Sequence, residues 1–361
     1  MVLSVIGGAV ASSFSSFSAT SFKGEIAALT AAFLWAAATL MFGRLGRSLS
    51  PLVLNIVKGI FAIALILITL LVRSRWIDTT TLPTTLPTTN NLPITAMVYL
   101  LLSGGIGIGL GDTAYFSAIN ALGARRALLL ETLAPPMTAG LAWIFLSEQL
   151  PFMAIAGILM TLLGVAWVIS ERVPATDSAL AKKSQNGWQT GLSVALLAVF
   201  CQASGAVLSR AALVNVAVDP LWSSLLRLLA GMAFMGMLAA LQPRRLGDYC
   251  PEPELKEVAT IENAPAKRDW RVRWQKSLTM LRSPRLLVGV ALAAFFGTYL
   301  GIWLQQIALK NTAAGIAQAL LATSPLFVLP MAALLGDRIS YRAIAGVAIA
   351  LGGVWLLFYV A

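Results

Sequence analysis

Ala154–Trp167 reads AIAGILMTLLGVAW and Ala343–Leu356 reads AIAGVAIALGGVWL. The two stretches share their glycine spacing, with Gly157 over Gly346 and Gly164 over Gly353, and neither holds a charge. Extended by their apolar flanks, both are long enough to cross a bilayer as a helix, for which about 20 residues suffice. Self-similarity at this distance means that the chain is built from a repeated unit.

The match runs outward in order along both copies. The same offset puts Pro136 over Pro325 and Glu148 over Asp337, and one residue of slip upstream brings Gly107 and Gly111 over Gly297 and Gly301. That GxxxG spacing lets helices approach closely within a membrane. Each copy also has a proline followed seven positions later by a base, Pro51 with Lys58 and Pro220 with Arg227. Glu131 falls over Leu320, so any role it has is confined to the first copy.

Apolar segments of spanning length run at Ile26–Gly43, Leu52–Val72, Ile94–Ile119, Ala127–Leu146, Phe152–Ser170, Thr190–Leu208, Leu221–Leu241, Leu286–Leu309, Ala313–Leu335 and Ala343–Val360. Lipid offers the backbone no hydrogen-bond partner, so such segments form helices, and the short alternating strands of a barrel are not seen. Five helices is an odd number, so the second copy enters the bilayer from the side opposite to the first. The expected fold is an all-α integral membrane protein of ten transmembrane helices in two inverted five-helix repeats, a recurring construction of secondary transporters. Residues 1–23 read as a disordered or interfacial leader, 24–172 as the first repeat, 173–187 as a linker and 188–361 as the second repeat, with a charged loop at 242–285. A Thr/Pro-rich stretch, TTTLPTTLPTTNNLP, reads as a solvated connection before the third helix.

Composition agrees. Of 361 residues, 58% are hydrophobic and 11% charged, with a mean hydropathy of +0.82, against about 25% charged in a soluble domain. The net charge of +11 lies in connections rather than on an exposed recognition helix, so it is a topology signal and no nucleic-acid partner is implied. There is no histidine, which removes Ser-His-Asp and Cys-His catalysis and histidine metal ligation. Cys201 and Cys250 have no redox or metal spacing, and no disulfide, metal or cofactor is expected.

Ionisable groups at membrane depth are costly and mark pathways. Lys58 and Arg227 lie about two turns into helices two and seven, where they either snorkel to the headgroups or face a cavity. Asp112 follows the glycine-rich GGIGIGLG in helix three. Glu131 lies one turn before Pro135 and Pro136 in a run with no other charge, which makes it a candidate for substrate contact or proton coupling. The paired prolines point to a kinked or opened helix, serving either a cavity or packing. Gln202, Gln305, Gln306, Gln318, Tyr115, Trp35 and Trp303 are polar or aromatic groups within spans that either line a cavity or join helices. The glycine string does not follow a strand and carries no nucleotide-binding expectation.

GDTAYFSAINALGARRALLLETLAPPMTAGLAWIFLSEQL, followed by the glycine-spaced AIAGILMTLLGVAWVI, resembles the EamA-type repeat of the drug/metabolite transporter superfamily. ALKNTAAGIAQALLATSPLFVLPMAALLGDRIS, Trp35 in helix one, and Pro51 with Lys58 in helix two resemble it again. The resemblance implies a basket-like ten-helix fold, transport of small metabolites, often export of amino acids or related compounds, and no use of ATP. Lys58 stands where that family commonly has arginine, and the loop from Gln242 to Pro284 is unusual for it. The resemblance also implies cytoplasmic termini, whereas arginines 44, 47, 125, 126 and those of the long loop place the termini outside by the positive-inside rule.

The expectation is a secondary transporter of the inner cell membrane, monomeric or homodimeric, with a central cavity lined by helices one, three, four, six, eight and nine. Lys58 and Arg227 would bind anionic groups or pair with Asp112 and Glu131; Tyr115, Trp35, Gln202 and Gln305 would line the site; and H+ through Glu131 would couple transport. A non-transporting scaffold or receptor is the alternative, and a membrane-embedded enzyme a more distant one.

Overall fold

The computed structural model describes residues 22–45, 51–77, 93–122, 124–170, 188–214, 216, 218–241, 283–334 and 340–360. Residues 1–21 of the leader, the Thr/Pro-rich stretch up to residue 92, the linker, most of the charged loop, Asp337 and Cys250 lie outside them. The described residues form ten helices long and apolar enough to cross a membrane, and no strand.

Helix α1 is Lys23–Leu45 and α2 is Pro51–Ile77. Helix α3 comprises Ile94–Ser103, a π-helical Gly104–Gly111 and Asp112–Leu122. Helix α4 is broken into Ala124–Glu131 and Ala134–Leu146, and α5 is Phe152–Ser170. The second repeat follows the same plan: α6, Trp188–Val214; α7, Pro220–Leu241; α8, Pro284–Ala294 with a π-helical Phe295–Leu300 and Gly301–Asn311; α9, Ala314–Leu321 and Ser324–Leu334; α10, Tyr341–Val360. The widened turn and the break recur at equivalent places, which ties both to the repeated sequence.

The opened helix expected at Pro135 and Pro136 is present. Proline has no N–H and its ring collides with the preceding turn, so α4 stops at Glu131 and restarts at Ala134. Leu133 N–H donates to the Leu130 carbonyl, and Thr323 N–H donates to that of Leu320. This register sets the break of α9 190 residues after that of α4, so Glu131 corresponds to Leu321 rather than Leu320.

Helices α5 and α10 cross on their glycines, and this crossing fixes the symmetry. A Cβ placed on Gly157 would lie 3.1 Å from the Gly353 carbonyl oxygen, and one on Gly346 would lie 3.1 Å from that of Gly164. Gly164 is likewise 2.6 Å from the Gly346 oxygen, and Gly353 2.8 Å from that of Gly157. Position 157 therefore meets 353 while 164 meets 346, so the equivalent helices run antiparallel about a pseudo-twofold axis. The repeats are inverted.

They are also interleaved. Helix α1 packs on α8 and α9, α2 on α8, and α6 and α7 on α3. Gly107 and Gly205 meet backbone to backbone, and Ser103 Oγ donates to the Gly205 carbonyl at 2.6 Å. Across the other pair, Thr69 and Tyr299 share a hydroxyl hydrogen bond of 2.8 Å. Outward faces carry Phe145, Phe152, Leu163 and Trp355, as lipid contact requires.

Helix ends alternate between two faces. The start of α1 meets the end of α10 through stacked Phe22 and Phe358, and the face that they share is called here the terminal face. The end of α7 and the start of α8 lie on the opposite face, called the loop face.

Gly353→Leu overpacks this crossing and is expected to destabilise the fold by about 1–3 kcal/mol, read as a lower midpoint of thermal unfolding in detergent. Gly236→Ala, where an added Cβ meets nothing within 4 Å, is expected to be neutral or stabilising by up to about 1 kcal/mol because the helix loses a flexible residue.

Candidate functional site

The glycines of α3 open the middle of the molecule. A Cβ on Gly104 would strike the Arg227 backbone at 2.7 Å, and one on Gly107 would sit 3.7 Å from the Arg227 guanidinium. Helix α7 can therefore lie against α3, and Arg227 reaches inward instead of snorkelling.

Beside it is a cavity of about 280 Å³ that brings together Lys58, Asp112 and Arg227 with Trp35, Gln202 and Gln305. These are six of the eight residues expected at the site. Asn55, Thr39, Thr298 and the methionines Met232 and Met235 also face it. Equivalent positions meet there: Lys58 and Arg227, Gly59 and Leu228, Ile108 and Thr298, Asp112 and Ile302. The cavity thus straddles the pseudo-twofold axis, but its chemistry is not symmetric, since the position equivalent to Asp112 is Ile302.

Two residues are not among its lining. Tyr115 belongs to a cluster with Ala118, Leu122, Leu130 and Ala195, and Glu131 stands at the break of α4, interacting electrostatically with Tyr115 and Asp112. The helices differ too. Lining comes from α1, α2, α3, α6, α7 and α8, so α2 and α7 take the place expected of α4 and α9. The broken helices pack on each other instead, with Gly315 against Ala139.

Arg227 is 3% exposed, yet its Nε has no hydrogen-bond partner and its Nη1 donates only a long 3.4 Å bond to Gln305 Oε1. Asp112 interacts electrostatically with both Lys58 and Arg227. Trp35 is held by its Nε1–H, which donates to the Gly297 carbonyl in the π-helical segment of α8 at 2.8 Å. The base of the cavity is therefore an under-bonded cation, and its wall carries the thioethers of α7.

The cavity extends from Arg227 and Gln305 towards Asn55, Lys58 and Thr39, which lie on the loop-face side of their helices. On the other side a polar clasp begins about 7 Å beyond Gln305, five residues further along α8 at 1.5 Å per residue. Arg210 Nε donates to Glu148 Oε1 at 2.6 Å, and its Nη1 donates to the Leu309 and Lys310 carbonyls at 2.8 and 2.9 Å. Glu148 Oε2 accepts from Ala314 N–H, and Lys310 Nζ donates to the Val218 carbonyl at 2.7 Å. Thr312 donates to buried Glu25 at 2.7 Å, and Arg73 pairs with Asp219. These contacts tie the helix ends together between the cavity and the terminal face, while the cavity reaches towards the loop face. The clasp was missed because charges at the ends of apolar runs read as interfacial. Asn55 was missed too, although its place three residues before Lys58 puts it on the same helix face.

Residues 22–170 and 269–359 match the EamA-like transporter family. The chain belongs to the EamA-like transporter family. It is a multi-pass membrane transporter of the drug/metabolite type. No curated protein matches this sequence. A solved crystal structure aligns with a TM-score of 0.62 and 17% identity, covering 94% of this chain and 99% of its own, and is similar in fold. In this EamA-like transporter the described residues set a polar cavity on the loop-face side of a polar clasp.

The clasp is testable by labelling. With Cys201 and Cys250 replaced by serine, Gln202→Cys is expected to react with a membrane-impermeant maleimide applied to the loop face and not to the terminal face. Adding Glu148→Gln, which leaves Arg210 without its counter-charge, is expected to raise the terminal-face rate at least several-fold.

Proposed function

We propose that this EamA-like transporter is a secondary active exporter of small metabolites bearing an anionic group, such as amino acids or related compounds. The observation that carries this is Arg227, a buried guanidinium at the base of a polar cavity with donors left unused. A cation in a water-poor site is stabilised by an anion that accepts charge-assisted hydrogen bonds. The substrate supplies it. Lys58 meets the anionic group on the loop-face side, Asp112 balances the empty site, and Trp35, Gln202 and Gln305 fix orientation.

Interleaved inverted repeats support alternating access. The two copies can exchange conformations, so that the clasp on the terminal face opens as an equivalent closure forms on the loop face. Glu131 is the candidate for proton coupling: it lies at the α4 break, outside the cavity lining, and interacts electrostatically with Asp112. We place the protein in the inner cell membrane, as a monomer or homodimer that needs no cofactor and takes no nucleic acid. The scaffold reading predicts closed charge pairs and no cavity, and the polar cavity beside Arg227 favours the transporter.

Reconstituted protein assayed with a broad metabolite panel checks this. Wild type is expected to transport at least one compound carrying a carboxylate. Arg227→Gln is expected to lower that transport about 10- to 100-fold, as the loss of a charge-assisted hydrogen bond worth roughly 1.5–3 kcal/mol predicts. Glu131→Gln is expected to abolish proton-driven accumulation while leaving exchange of substrate for substrate. No transport of any compound by folded protein in either orientation would favour the scaffold.

A further inference from the structure

We infer that the transported species is a small acid carrying one net negative charge, because the cavity confronts it with two cationic side chains and one anionic one. The inference rests on the cavity being the transport site. Among the described residues lining it, the ionisable side chains are Lys58, Asp112 and Arg227. Asp112 interacts electrostatically with both cations, and within the lining this one carboxylate stands against two bases. Uncompensated charge inside a bilayer is what membrane proteins avoid most strongly.

A substrate therefore contributes to the balance. One carboxylate brings the occupied site to neutrality; a zwitterion leaves it at plus one, a dianion at minus one and an amine at plus two. Arg227 has the spare donors to receive that carboxylate. The rest of the wall sets the other half of the substrate. Met232, Met235 and Ile302 line the cavity, and thioether side chains adapt to apolar groups of varied shape. The class is an amphipathic monoanion: an apolar body with one acid group and either no free amine or a second acid to cancel it.

Glu131 interacts with Asp112 but is not part of the lining, and so stands outside the count. The repeats explain why the count is uneven. Lys58 and Arg227 are equivalent positions, whereas the counterpart of Asp112 is Ile302.

The test is substrate counterflow in proteoliposomes, which needs no gradient, with a panel that changes charge on similar skeletons: leucinamide, leucine, N-acetyl-leucine, glutamate and N-acetyl-glutamate. Wild type is expected to exchange N-acetyl-leucine or glutamate at least tenfold faster than leucine and N-acetyl-glutamate. Asp112→Asn is expected to move the optimum to the dianion and Lys58→Met to the zwitterion. Glu131→Gln is expected to keep the wild-type ranking, and a shift towards the dianion would put Glu131 in the count and overturn the inference. Leucine preferred over N-acetyl-leucine, or an optimum unmoved by both cavity substitutions, would overturn it as well, while the transport reading survives. Exchange of no panel member, together with no thermal stabilisation of the folded protein by any of them, overturns both. If the variants unfold, the wild-type ranking decides.

Discussion

Hydrocarbon offers no hydrogen-bond partner, so every polar group in the spans must find one within the protein. In this molecule that constraint separates two kinds of charge. At the terminal face, Arg210 has a carboxylate and two carbonyls, and Lys310 and Asp219 are likewise engaged. Such groups are satisfied and hold helices together. At the centre Arg227 is buried, bonded once at 3.4 Å, and next to open space. A satisfied charge joins helices, and the unsatisfied one is the basis of the proposed anion site.

The position of that unsatisfied charge follows from glycines. The crossing of α5 and α10 makes the axis, and the glycine faces of α3, α6 and α8 let neighbouring helices close around it. Positions related by the axis then face each other across one cavity. Conformational exchange needs this likeness of the halves, whereas ligand chemistry needs their difference. Asp112 equivalent to Ile302, and Glu131 equivalent to Leu321, supply the difference without disturbing the backbone plan. The clasp around Arg210 ties α4, α6 and α8 together on the terminal-face side of the cavity, which is the closure that the proposed alternating access requires of one conformation.

Much of this was legible in the sequence, because spans and repeats depend on local composition and spacing. The ten helices, the inverted order, the opened α4 and six cavity residues follow from apolar length, prolines, glycines and isolated charges. Less legible was the face on which α4 lies. Glu131 is conspicuous because its run holds no other charge, but the break at Thr132 and Leu133 re-aims the helix, and spacing alone does not give that direction. The clasp was hidden for a similar reason. Glu148 and Arg210 are 62 residues apart, and each alone resembles an ordinary interfacial charge.

The decisive measurement is an experimental structure of the protein with an exchanged substrate bound. The anionic group of that substrate should lie within hydrogen-bond distance of the Arg227 guanidinium, between Asp112 and Lys58. Substrate density elsewhere, for instance in the apolar cleft between α4 and α5 that Trp143 and Leu159 line, with the central cavity unchanged, would contradict it.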